Sequence, residues 1–249
     1  VYEERRGAIR LPLRLGPYGS AFVVFPEGAA APDHILSATR NGVEVTGMLA
    51  SSEPDMRNKM TVVRLTEDDR NQYLAEASKE GAYALKTAAG KVLSFNVAAL
   101  PGPVPIGGPW TVEFPKGWGA PPRVTLERLI SWTSHPDPGV KYFSGTAAYK
   151  RTIQIDGAML GKERRLYLDL GQVQVIAEVV LNDQALGILW KPPFRVDVTG
   201  AARPGANELE VRVVNLWPNR MIGDDHLPED TARNGFMLKE WPRWLLEGK

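Results

Sequence analysis

The sequence predicts an all-β chain of two β-sandwich domains, the second of them a jelly roll. Three observations carry that expectation. Short apolar segments with a two-residue period recur along the chain, and that period sends alternate side chains to opposite faces of a sheet. They are separated by turns supplied from 24 Gly and 20 Pro, so the elements between the turns are short. The length of 249 residues is large for one sandwich and comfortable for two of roughly 100 to 120 residues each.

Taken in order, residues 7–25 open with Ile9, Leu11, Leu13 and Leu15 on one face, turn at Gly-Pro-Tyr-Gly, and continue as Ser20-Ala-Phe-Val-Val-Phe25, so two strands are expected. Runs at Gly42–Leu49, Met60–Leu65, Gly81–Lys86 and Val92–Asn96 continue the pattern, with Asn-Gly and Ala-Gly turns between them. The polar segment Glu67–Ser78 reads as a helical turn or a loop. Residues 1–100 are assigned to this first, smaller sandwich. Leu100-Pro-Gly-Pro-Val-Pro-Ile-Gly-Gly-Pro109 holds four prolines and three glycines in ten positions, and residues 101–109 are read as a linker.

The second domain is assigned to residues 110–228. It starts with Trp110–Phe114, passes through an irregular Gly-, Pro- and Trp-rich stretch and an amphipathic Leu126–Trp132, and then settles into strands. These are expected at Gly145–Ile155, Arg165–Leu170, Val173–Leu181, Ala185–Leu189, Phe194–Val198 and Glu208–Val214, with turns at Asn182-Asp183 and Pro204-Gly205. Strand periodicity ends at Trp217. Residues 229–249 are read as a tail of ordered loop with a short helix.

Composition removes several classes of function. The formal net charge is +1 with no basic block, so no nucleic-acid footprint is expected. The absence of Cys excludes disulfides, thiolate zinc sites and thiol nucleophiles. The longest apolar runs, such as Val173–Leu181 broken by Glu178, fall far short of the roughly 20 residues of a membrane span, so no membrane partner is expected. The first residue is Val1 rather than Met, which reads as a processed protein or a piece of a longer one.

One stretch is more specific than the rest. Leu168-Asp-Leu-Gly-Gln-Val-Gln-Val-Ile-Ala-Glu-Val-Val-Leu-Asn-Asp-Gln-Ala-Leu-Gly-Ile-Leu-Trp190, followed by Lys191-Pro-Pro-Phe-Arg-Val-Asp-Val-Thr199, resembles the galactose-binding-like jelly-roll domain of family 2 glycoside hydrolases and of the rhamnosidase-type enzymes of family 106. The matching elements are Leu181-Asn182-Asp183, Gly187–Trp190 and Pro193–Thr199. Gly108–Gly119, Ile130–His135, Val140–Gly145 and Asn215–Asp224 are similar to the family 106 type specifically. The likeness is strong over residues 105–228 and weak before them, where it rests on Arg10–Leu15 and Phe22–Phe25. In that family the catalytic carboxylates sit on a barrel domain upstream, and this chain has neither the length nor the βα alternation of one. The resemblance therefore implies an ancillary region whose partners are a terminal sugar of a plant or microbial polysaccharide and the catalytic barrel of a parent enzyme. It also implies a periplasmic or secreted location.

Sugar recognition needs flat aromatic faces and planar polar groups on loops held by a rigid scaffold. Of the seven Trp, Trp110 and Trp118 read as core plugs. The candidate sugar-binding residues are Trp132, His135, Trp190, Lys191, Asn215, Trp217, Asn219, Arg220 and Asp224. They combine indole faces with the directional donors and acceptors that vicinal hydroxyls require. The competing reading of Asn215 and Arg220 is that they brace the last strand against the tail. The loops Trp190–Arg195 and Asn215–Asp224 are expected to converge, because both follow strands of the same sandwich. Hydrolysis would need two carboxylates about 5 to 9 Å apart. Glu113, Glu127, Glu178, Asp197, Asp224 and Asp225 supply carboxyls, with Glu178 and Asp224 the candidates retained. Glu178 interrupts an apolar strand, which either raises its pKa by burial or places it on the solvent face. His34 is read as structural and His226 as a solvated loop residue. No cofactor is expected, and structural calcium at Asp137 or Asp224 is the one cation left open.

Three functions follow: a carbohydrate-recognising ancillary region of a rhamnosidase- or galactosidase-like hydrolase, a compact glycosidase acting through a carboxylate pair on the jelly roll, and an interdomain scaffold that touches no sugar.

Overall fold

The computed structural model describes residues 3–5, 8–11, 15, 20–24, 33–45, 63–67, 73–226, 232–241 and 246–247. The fold is all-β and its strands pair antiparallel. The chain divides into two compact units, Val1–Pro103 and Val104–Lys249.

In the first unit β1 (Glu3–Arg5) pairs with β2 (Ala8–Arg10), and the main sheet is assembled from β3 (Ile35–Arg40), β4 (Val43–Glu44), β7 (Gly81–Thr87) and β8 (Val92–Val97). A separate hairpin joins β5 (Val63–Glu67) and β6 (Tyr73–Ala77). The β3–β4 turn is Asn41-Gly42, both with positive φ, the geometry that suits a two-residue hairpin. Alternation along β7 buries Tyr83, Leu85 and Thr87. Leu85 joins Ile35, Ala38 and Val45 in a small core, whereas Tyr83 stacks on Phe95 at 5.0 Å and reaches Ala75 and Ala77 of the hairpin.

Two readings of this unit are corrected. Glu67–Ser78 contains a strand, β6, because a polar stretch becomes a strand once cross-strand pairing to β5 satisfies its backbone. Ser20–Val24 forms no strand, and Phe22 lies almost fully in solvent. Positions 7, 12–14, 16–19, 25, 46–49 and 60–62 of the expected strands lie outside the described residues.

The second unit is built on a six-stranded sheet in the order β10-β9-β11-β16-β13-β14, made of β9 (Trp110–Glu113), β10 (Arg123–Leu126), β11 (Thr146–Ile155), β13 (Ile176–Leu181), β14 (Gln184–Leu189) and β16 (Gly205–Val214). β12 (Tyr167–Asp169) and β15 (Arg195–Asp197) pair separately. Leu168 of β12 and neighbouring Val198 face Ala177, Val179, Leu181, Leu209 and Val211 of the large sheet, so the core is the interior of a sandwich. One side of that core is aromatic: Phe114, Trp132 and Phe143 meet edge to face, and Trp132 stacks on Tyr149.

The opposite face of the sheet is charged. Arg123, Glu113, Lys150, Glu210, Arg212 and Glu178 alternate in sign across five adjacent strands, with N···O separations from 2.5 to 3.7 Å. Lys150 first and Arg123 second hold the Glu113 carboxyl below the usual carboxylate range.

Among the described residues helix is minor: it includes single turns at Trp132–Ser134 and Gly157–Met159, α1 (Pro138–Lys141) and α2 (Pro218–Asp225). The stretch after Phe114, expected to be irregular, includes strand β10. The region read as tail forms a hairpin of β17 (Arg233–Asn234) and β18 (Met237–Leu238).

Candidate functional site

Strand direction gathers the candidate residues at one end of the large sheet. β14 and β16 both pair antiparallel with β13 between them, so both finish at the same end. Leu189 lies opposite Ala177, and Ala177 lies opposite Val213. Trp190 and Val214 are thus two strand spacings apart, roughly 10 Å. β11 begins at this end, since Thr146 faces Val214, and β9 delivers the 115–122 loop to it. A side-chain carbon placed on Gly145 would meet the Trp118 ring at 3.4 Å, and one on Gly119 would meet the Arg220 guanidinium at 3.2 Å. Trp118, Ser144-Gly145, the 215–225 segment and Trp190 therefore share one rim.

Three tryptophans of that rim present their rings to solvent: Trp118, Trp190 and Trp217 are 53%, 55% and 73% exposed. The Lys191 ammonium stands 5.2 Å from the centre of the Trp190 ring, a cation–π distance. Trp118 was read from sequence as a core plug. Its neighbours Gly117 and Gly119 both adopt positive φ, and the chain there turns the indole outward over the Gly145 backbone. Trp110, read the same way, is indeed buried.

The polar members of the predicted set are engaged in holding the rim together. Asn215 Oδ1 accepts from Gly145 N–H at 2.9 Å, and its Nδ2 donates to Phe143 O at 2.8 Å. Asn219 Nδ2 donates to Lys141 O and Phe143 O. Arg220 Nε pairs with Asp224 Oδ1 at 2.7 Å, one helical turn along α2. Ser144 Oγ accepts from Arg220 N–H and donates to Leu216 O, which ties α2 to the start of β11. Asn215 thus ties the end of β16 to residues 143–145 rather than to the tail, the Arg220 side chain read with it as a brace pairs within α2, and Asn219 bonds the same 141–143 segment, a role no spacing in the sequence announced.

Trp132 and His135 stand apart from the exposed rings. Trp132 is buried among Phe114, Phe143 and Tyr149, and its Nε1–H donates to Tyr149 Oη at 2.6 Å. It offers no face to a sugar, which corrects its place among the binding candidates. His135 accepts Asp137 N–H on Nδ1 and borders a shallow depression of about 320 Å³ with Thr125, Arg128, Ile130 and Pro136. Asp137 caps α1 by accepting Gly139 N–H. Glu178 lies on the solvent side of β13 and pairs with Arg212 at 3.0 Å, so it lacks the burial a general acid would need. Among the described residues, no three His, Asp or Glu side chains are grouped as a metal site.

Two motif elements turn out to be structural. Asn182 bridges Ala201 O, Asn207 Oδ1 and Glu208 N–H at the opposite end of the sheet. Phe194 and Val198 fill the core, while Thr199 Oγ1 accepts Leu166 N–H. Fully buried Asn207, which bonds Arg203 and Gly205, was not singled out by any sequence signal.

Comparison with known proteins adds to this geometry. No family model matches the chain. A protein of Formosa agariphila, provisionally named a beta-glucuronidase, is 47% identical over 166 residues, which is 67% of this chain and 14% of that protein. The solved structure of a rhamnosidase from Novosphingobium sp. PP1Y superposes with a TM-score of 0.50 at 26% identity, over 74% of this chain and 23% of the rhamnosidase. This chain is related to a region of glycoside hydrolases. A beta-D-glucuronidase of Dictyoglomus thermophilum matches 44% of this chain and 19% of its own length, at 20% identity and a TM-score of 0.38, too distant to add weight. The chain thus spans less than a quarter of the length of each of these proteins.

Proposed function

We propose that this chain is a carbohydrate-recognising ancillary region of a glycoside hydrolase, without a catalytic site of its own, and that Trp190 with Lys191 forms its sugar-stacking platform. The observation that carries the reading is the rim of outward tryptophans on strand-end loops of a rigid sandwich. A half-exposed indole offers the apolar side of a pyranose a flat surface, and the adjacent ammonium offers donors to hydroxyls or to a uronate carboxylate. The two relatives bear rhamnosidase and glucuronidase names, so rhamnosyl- and glucuronosyl-terminated oligosaccharides are the probes of choice. The carboxylates weighed as a catalytic pair, Glu178 and Asp224, each sit in an exposed ion pair, which favours the non-catalytic assignment.

Titration calorimetry with those probes tests the reading. Trp190→Ala should weaken binding by roughly 1 to 2 kcal/mol, the scale of losing an aromatic platform. Unchanged affinity in that variant, or robust turnover of nitrophenyl rhamnoside or glucuronide by the chain, would overturn it.

A further inference from the structure

The half-exposed Trp118 ring has polar partners of its own on the rim. The glycines on either side of it, Gly117 and Gly119, have φ of +81° and +90°. Both values lie in the left-handed region that a side chain would strain, so glycine here is what lets the chain hold the indole out from the sheet. Gly119 has a second consequence. A Cβ there would lie 3.2 Å from Arg220 Nη1, so the bare glycine leaves the guanidinium open beside the residue that carries the ring. Arg220 is fixed at both ends: its backbone N–H donates to Ser144 Oγ, and its Nε lies 2.7 Å from Asp224 Oδ1. Among the described residues Asp224 is the one hydrogen-bond or ion-pair partner of the Arg220 side chain. Nη1, across the guanidinium from Nε, is therefore left for a ligand, and the half-exposed Asp224 carboxylate keeps acceptor sites that Arg220 does not use.

We infer that Trp118 and the Arg220–Asp224 pair form a second sugar subsite on this rim, and that it takes a neutral pyranose. The apolar side of the sugar stacks on the indole, one hydroxyl accepts from Arg220 Nη1, and the adjacent hydroxyl donates to the Asp224 carboxylate. This deepens the carbohydrate-recognising reading above and rests on it. A guanidinium and a carboxylate side by side match two neighbouring hydroxyls, each of which both donates and accepts. They do not match an anion: Asp224 already offsets the Arg220 charge at 2.7 Å, and a uronate brought there would meet the like charge of Asp224. Lys191 differs, because its ammonium faces the Trp190 ring and has no ion pair among the described residues, so an acidic sugar belongs at that subsite. One sugar ring cannot touch both. Gly145, against the Trp118 ring, leads into β11, and Trp190 follows β14, three strand spacings away across β16 and β13, or roughly 14 Å. The two subsites therefore hold different residues of an oligosaccharide and bind monosaccharides independently.

The indole N–H signals of a proton–nitrogen NMR spectrum test the inference on the full chain, with Trp118→Phe and Trp190→Phe identifying the two signals that matter. Methyl rhamnoside, methyl galactoside and methyl glucuronide are the probes. A neutral glycoside should shift the Trp118 signal saturably, in the parent and equally in Trp190→Ala. Methyl glucuronide should shift the Trp190 signal and leave Trp118 in place. Added NaCl should not change the neutral sugar's affinity at Trp118, since its hydroxyls carry no charge to screen. Arg220→Gln and Asp224→Asn should each weaken that affinity about tenfold, the scale of a hydrogen bond to a charged group, while their fluorescence melts stay close to the parent's because the pair is exposed. A Trp118 signal that no neutral glycoside moves overturns the inference. So does one that the glucuronide moves as tightly, or one whose affinity is unchanged in both variants. A silent Trp118 beside a responding Trp190 defeats this inference alone and leaves the proposed function standing, whereas silence at both with every probe counts against the two together.

Discussion

Asn215 separates a bracing residue from a binding residue, and truncating it to Ala should show which it is. In the folded protein its side chain makes two bonds, accepting Gly145 N–H and donating to Phe143 O. The second loss is cushioned, because Phe143 O still receives Asn219 Nδ2 at 2.9 Å. The first leaves a part-buried backbone N–H with no replacement. An orphaned donor costs about 1–3 kcal/mol and a lost neutral hydrogen bond about 1, so Asn215→Ala should cost roughly 2–3 kcal/mol. For a unit of this size each kcal/mol lowers Tm by about 3–4 °C, giving a drop of roughly 6–12 °C. The assay is unusually clean. All seven tryptophans, from Trp110 to Trp244, fall in the second unit, so their fluorescence reports its unfolding alone. An Asn215→Ala protein that melts like its parent while losing sugar affinity would refute the bracing argument and return Asn215 to the binding surface.

Two further outcomes follow from the core and from the charged face. Tyr149→Phe should destabilise the second unit by about 1–3 kcal/mol, because the buried Trp132 Nε1–H loses its acceptor. Combining it with Trp132→Phe should cost less than the sum of the single changes, a double-mutant cycle read by denaturant titration. The charged face sets a pH window. Glu113 titrates below its ordinary value when folded, so its stabilisation is present above the ordinary carboxylate pKa and is lost as pH falls through that value toward the folded one. Lys150 is shifted upward, chiefly by Glu113, so its share persists below the ordinary lysine pKa and is lost as pH rises beyond it. Tm measured across pH should plateau between those limits, and Glu113→Gln should flatten the acid side by the small amount an exposed pair supplies.

Much of the fold was legible locally. The β11, β13, β14 and β16 strands fall where the two-residue alternation places them, because that pattern directly encodes which side chains face the core. β6 and β10 were not legible, since polar or Pro-flanked segments become strands only when a neighbour pairs with them. The same divide runs through the site. Sequence alone marked Trp190 and the 215–224 segment, and it implied that they follow strands of one sandwich. It could not tell Trp118 from Trp110, or an outward Trp217 from an inward Trp132, because an indole in a Gly- and Pro-rich loop carries no periodicity to orient it.

Composition and pattern by themselves determined an all-β chain with no cysteine and no basic block in its sequence, and the motifs that resemble a jelly-roll domain pointed to glycoside hydrolases. Tertiary structure decided what each polar residue is for. Asn215 and Asn219 have the chemistry of sugar ligands, and only the positions of the Gly145 amide and the Lys141 and Phe143 carbonyls show that both ends of the Asn215 amide and the Asn219 Nδ2 are already engaged. A side chain's donors and acceptors are written in its residue type, but whether they are available depends on groups that lie some 70 to 80 positions away along the chain and that only folding brings within 3 Å.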